Sequence, residues 1–177
     1  MHFQAIMSAQ RIDTPGNISS SLIDWYKFDD NGGSYPSNAG TSGIQLNFSL
    51  ATWVVGHVGG GALSFGGGNV ARSTDSDGGS CSLLGDTTIS IWYNKSAGVN
   101  SGARLASWVD TANSLYTMFV LDTSGTNVAV VSADGSSYSA IDSANAWHHV
   151  VGLFTNGLCV EAYLDNVLMT THAGGTY

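Results

Sequence analysis

Two runs rich in β-branched and aromatic residues, Trp147-His-His-Val-Val-Gly-Leu-Phe154 and Leu158-Cys-Val-Glu-Ala-Tyr-Leu164, flank Thr155-Asn156-Gly157. Asn-Gly between such runs is the strongest short-range hairpin signal, because both residues tolerate the positive φ of a tight turn that matches strand twist. Outward from this hairpin the same grammar repeats. Asp134-Gly135 separates Val128–Ser132 from Ser137–Ile141. Thr87–Asn94, Arg104–Val109 and Tyr116–Leu121 read as a central meander, with earlier strands at Leu22–Phe28, Gly61–Phe65 and Asn69–Ala71. Almost no stretch carries a convincing period of 3.6, so the pattern predicts an all-β chain, a sandwich or jelly roll. At 177 residues the chain fits one domain, on the prior of roughly 100–200 residues each. Residues 1–20, with Pro15-Gly16 and a polar stretch, read as an N-terminal arm or linker before a domain at 21–177.

Composition narrows the function. Only 10% of residues are charged, against about 25% in a typical domain. Ser, Thr, Asn and Gly supply 73 of the 177 residues, so uncharged polar groups must cover most of the surface. Five cations against thirteen acids, net −8, exclude a binder that works by neutralising nucleic-acid phosphates and disfavour an anionic membrane surface. No apolar run approaches the length of a membrane span. Met1–Gln10 lacks a basic n-region and is broken by Gln4 and Ser8, so it does not read as a secretory signal. Cys81 and Cys159 are too few for a disulfide scaffold and read as reduced, partly buried thiols.

The inventory of reactive groups is thin. Glu161 is the only glutamate and lies mid-strand, on one face with Cys159 and Tyr163. Glycoside hydrolysis ordinarily needs two carboxylates astride the scissile bond. The aspartates at 122, 134 and 165 sit in turn contexts instead, where Asx side chains bond their own backbone. There is no G-x-S-x-G elbow, and the glycines of Gly59–Gly68 suit tight turns around Ala62–Phe65. Adjacent strand residues point to opposite faces, so His148 and His149 cannot readily share a metal. The same parity groups Trp147, His149, Val151 and Leu153, which predicts His149 on the core side. No catalytic set survives, and a non-enzyme is expected.

Weaker positive signals remain. Asp75-Ser76-Asp77-Gly78 and Asp29-Asp30-Asn31 before Gly32-Gly33 place carboxylates in glycine-rich loops, the composition that wraps calcium in oxygen ligands and also the composition of ordinary turns. Calcium held by Asp29, Asp30, Asp75 and Asp77 is therefore the one cofactor to look for. Tyr35, Trp53 and Trp108 could offer flat faces to sugar rings, although burial is the commoner fate of such side chains. Asn17, Asn47 and Asn94 match the N-glycosylation pattern, incidentally if the chain is not exported.

Four stretches together resemble the laminin-G-like branch of the concanavalin A-like jelly-roll superfamily. They are Leu22–Asn31, Gly59–Phe65, Thr87–Trp92 and Trp147–Phe154, the last followed by Glu161–Leu168. The resemblance covers roughly residues 22–170 and implies a two-sheet antiparallel sandwich, in a family that includes glycan-binding lectins, adhesion modules, glucanases and surface proteins of phages and bacteria. The chain departs from it at Phe65-Gly66-Gly67 and Asp165-Asn166, where the family commonly has Phe-Asp-Gly and Asp-Gly. The glucanase signature of two glutamates and an aspartate along one strand has no counterpart. Neither does the family's closing strand, so an open sheet edge is expected that this chain's arm or a neighbour's could fill.

The first functional expectation is a non-catalytic structural subunit, a virion or particle-surface decoration or fibre protein that forms homo-oligomers, with Met1, Phe3, Ile6 and Ile12 of the arm as assembly residues. An uncharged surface can be buried with little desolvation cost. The alternative is a calcium-assisted carbohydrate-binding adhesion module that attaches to a cell-surface glycan. Nucleic acid and membrane insertion are not expected.

Overall fold

A computed structural model describes residues 2–4, 24–33, 35–48, 51–58, 60–66, 71–73, 86–97, 104–110, 115–121, 127–132, 134–156 and 158–172. Among them there is no helix. In chain order the strands are β1 His2–Gln4, β2 Leu46–Phe48, β3 Thr52–Val54, β4 Ala62–Ser64, β5 Ala71–Ser73, β6 Asp86–Asn94 and β7 Arg104–Asp110. They continue with β8 Leu115–Leu121, β9 Asn127–Val131, β10 Ser137–Ile141, β11 Trp147–Thr155, β12 Leu158–Leu164, β13 Val167–Leu168 and β14 Thr170–His172. A seven-stranded sheet has the order β13-β12-β11-β6-β1-β4-β3, a five-stranded sheet the order β14-β10-β9-β8-β7, and β2 pairs with β5 alone. The named ladders are antiparallel.

The turns follow local chemistry. Asn156 has φ +50°, and Gly135 has φ +82° while Asp134 Oδ1 accepts from the Ser136 amide and hydroxyl. Asp165 and Asn166 both take positive φ, +49° and +67°, the conformation of a primed two-residue turn between β12 and β13.

The hydrophobic core lies between the two large sheets. β6 buries Thr87, Ile89, Ile91 and Tyr93, and β11 buries His148, Val150, Gly152 and Phe154, alternating with half-exposed neighbours. With Ala162 and Leu164 of β12 they pack against Val128 and Val130 of β9, from the other sheet. Each such aliphatic or aromatic side chain contributes about 1.5–3 kcal/mol on full burial. This geometry corrects the expected face of β11. Both parity sets of that strand carry large apolar residues, so its own alternation does not decide. Its register on β6 does: His148, Val150 and Gly152 lie opposite Tyr93, Ile91 and Ile89, and His149 turns outward.

A second cluster of Tyr26, Phe28 and Leu63 packs with Leu46, Phe48 and Trp53. The expected strand at Leu22–Phe28 is, within its described part, a single bridge of Tyr26 to Asn38. Asn38 takes over the ladder's role there, its Nδ2 donating to Asp24 Oδ1 and Ile44 O while its Oδ1 accepts from the Trp25 and Gly40 amides. In the stretch read as an arm, β1 inserts between β6 and β4, with Phe3 opposite Tyr93 and Leu63.

Candidate functional sites

Three constellations stand out. The first is a buried polar network where β6 ends and β11 begins. Lys95, just after β6, and Asp142, just after β10, form an ion pair with side chains 1% and 0% exposed. Tyr93 Oη donates to the second oxygen, Asp142 Oδ2, at 2.5 Å. Burial, then the Asp142 carboxylate, push the Tyr93 hydroxyl well above its ordinary pKa, so it remains a donor. The His148 ring lies 5.7 Å from that of Tyr93, its Nδ1 2.7 Å from Asp165 Oδ2 and its Nε2 3.0–3.2 Å from the Ser143 carbonyl, amide and hydroxyl. Asp165 Oδ1 also accepts from the His149 amide, which ties the β12–β13 turn to β11.

The second lies on the outer face of the seven-stranded sheet. Trp92 of β6 is the cross-strand partner of His149, and their rings stack at 4.6 Å with 13° between planes. His57 covers the same patch, 4.4 Å from Trp92 and 5.7 Å from Trp147. Ser90 Oγ and His149 Nε2 are 2.7 Å apart. Burial lowers the His149 pKa, with Asp165 pulling weakly the other way, so the imidazole is neutral at physiological pH. The result is an aromatic shelf with a hydroxyl at one side. Strand parity misread for β11 hid it from the sequence; Ile89, Ile91 and Tyr93 on β6 were the available signal.

The third is an apolar edge. β13 is the outermost strand of its sheet, with Val167 and Leu168 68% and 60% exposed, and on neighbouring β12 Leu158 and Val160 are 42% and 50% exposed. A bulge opposite Leu153 and Phe154 shifts the β12 register. It separates faces the sequence had joined: Cys159 turns into the core, its thiol pushed up to about 12 by burial, while Glu161 stays exposed and accepts from Tyr163 Oη at 2.6 Å.

The residues singled out by sequence are scattered. Asp29 Oδ1 accepts from the Gly60 amide, and both Asp30 oxygens accept from Ser37, which lowers the Asp30 pKa. Asp29 thus holds its loop against Gly60, and Asp30 closes the same loop on Ser37. Among the described residues no three His, Cys, Asp or Glu side chains gather to hold a metal. Asp75 and Asp77 lie outside the described residues, as do Cys81, Met1, Ile6 and Ile12. Trp53 packs on Phe28 and Phe48 and donates its Nε1 hydrogen to the Gly33 carbonyl, so it serves the second core cluster. Tyr35 is exposed. Trp108 pairs with Thr117 in the five-stranded sheet, its side chain lying outside the described residues. No family model, curated protein or solved structure matches the chain.

Proposed function

We propose that the chain is a non-catalytic structural subunit, a laminin-G-like jelly roll that assembles with copies of itself on the surface of a virion or similar particle. The observation that carries this reading is the apolar edge at β12–β13. Edge strands present unpaired amides and carbonyls that recruit other strands, and soluble proteins usually blunt them with charge. Here Val167 and Leu168 carry none and stand in solvent opposite Leu164 and Tyr163, while Leu158 and Val160 are exposed towards the other end of β12. The laminin-G-like assignment is supported by the seating of the Phe28–Asn31 loop on Gly60-Gly61, two motifs of the resemblance brought into contact. Size-exclusion chromatography with light scattering tests the proposal. Multimers are expected for the native chain and a monomer for the Val167→Lys, Leu168→Lys double variant. A native chain that is monomeric at every concentration overturns it.

A carbohydrate-binding role is favoured by a different observation, the Trp92–His57–Trp147 shelf. Flat aromatic faces beside a hydroxyl, Ser90, match the apolar face and polar rim of a pyranose. A glycan array probed with and without chelator, and again with Trp147→Ala, tests it. Binding that Trp147→Ala abolishes supports the shelf; no glycan bound discards it.

A further inference from the structure

We propose that Lys95 and Asp142 condense to an isopeptide bond that joins the two sheets covalently. The chain has only two lysines, Lys27 and Lys95, and it places one of them in the interior. Lys95 Nζ touches Asp142 Oδ1 with both side chains shut off from solvent. A buried ion pair is a poor source of stability, because desolvation cancels most of its attraction. The same burial is what a condensation requires. A dry site lowers the cost of passing one proton from ammonium to carboxylate, which leaves a neutral, nucleophilic amine facing a carboxylic acid. Two groups held in contact react with an effective concentration of ~10⁵–10⁸ M.

Tyr93 supplies the third part. Its hydroxyl donates to Asp142 Oδ2, on the far side of the carboxyl carbon from the bond to Lys95. It polarises Cγ and can hand a proton to Oδ2 while taking one back from nitrogen. The balance closes without a co-reactant. The nitrogen lone pair forms the N–Cγ bond, the Cγ–Oδ2 bond breaks, and Oδ2 leaves as water with two of the three ammonium protons. Nitrogen keeps the third, no atom changes oxidation state, and the two charges cancel.

Lys95 follows a strand of the seven-stranded sheet and Asp142 follows β10 of the five-stranded sheet. The new bond therefore staples the layers across a sequence separation of 47. It would add a covalent link to the side-chain packing and to the Tyr138–Val160 and Cys159–Ser132 hydrogen bonds that already join the layers, and would resist forced separation as a disulfide does.

Intact mass spectrometry of the folded full chain tests the bond directly. The expected mass is lower than that of the sequence by one water, and a tryptic digest yields a branched peptide uniting the segments around Lys95 and Asp142, uncleaved after Lys95. Lys95→Arg keeps a cation for Asp142 but has no primary amine, and its expected mass is that of its full sequence. Tyr93→Phe is expected to leave an unreacted fraction in freshly made protein. A native chain of full sequence mass overturns the proposal. So does loss of water that persists in Lys95→Arg, which would place the dehydration elsewhere, as in a succinimide at Asp134-Gly135. Should Lys95→Arg fail to fold, the branched peptide in the native chain still supports the bond by its presence and overturns it by its absence.

Discussion

His148 and His149 are consecutive residues of one strand with opposite fates. His148 faces Tyr93 in the interior and binds Asp165 through Nδ1, while His149 stacks on Trp92 outside and meets Ser90 through Nε2. A strand through the middle of a packed sheet separates such neighbours by the sheet's own thickness, and their chemistry diverges accordingly.

Acid should destabilise the fold through His149. Its folded pKa lies below the unfolded value of about 6.5, because burial penalises the cation more than Asp165 helps it. The unfolded chain therefore binds the proton first. This contribution is fully present above about pH 6.5 and is lost as pH falls through the folded pKa. Denaturant midpoints of the native chain and His149→Gln, measured from about pH 7.5 down to about pH 5, should show a shallower fall for the variant. Parallel curves would assign the acid sensitivity to other groups.

The corrected face of β11 can be tested with two adjacent truncations. Phe154→Ala empties a core position and is expected to cost about 3–5 kcal/mol. Leu153→Ala, on the outer face, should cost clearly less. Urea unfolding of both variants gives the comparison, and equal costs would contradict the register of β11 on β6.

Gly60 and Gly61 offer a finer contrast. A Cβ at Gly61 would run into the Phe28 carbonyl and Asn31 Oδ1, whereas one at Gly60 meets chiefly the Asn31 amide nitrogen, 2.7 Å away at the end of a side chain. Backbone cannot yield as a side chain can. Gly61→Ala is expected to cost about 1–3 kcal/mol or more, and Gly60→Ala less; thermal melts should separate them.

Removing one partner of a buried pair leaves an uncompensated charge. Asp142→Ala should accordingly lose about 3–5 kcal/mol, read from equilibrium unfolding. A loss below about 1 kcal/mol, the range of an exposed pair, would mean that water reaches Lys95.

Much of the strand plan was legible because its signals are local. Ser137–Ile141 and Leu158–Leu164 have the bounds the sequence suggested, and the turns at Asn156, Gly135 and Asp165-Asn166 adopt the positive φ their residues favour. The short strands β2, β3 and β13 were not legible as strands: three residues or fewer carry no countable alternation. The candidate sites were hardly legible at all. Trp92, His57 and Lys95 carry no local pattern that marks them, while Trp53, which stood out as a flat aromatic face, is held within a core cluster.

What the sequence by itself determined is the kind of element and its punctuation: apolar residues at period two, and Asn, Asp and Gly at the reversals. The tertiary structure alone decided which face of β11 turns inward and which distant groups meet, Lys95 with Asp142 and Trp92 with His149. The physical reason is that a strand's two faces are equivalent until a neighbour covers one. Register on β6 broke that equivalence, and packing between the sheets brought together charges 47 positions apart that no local pattern could pair.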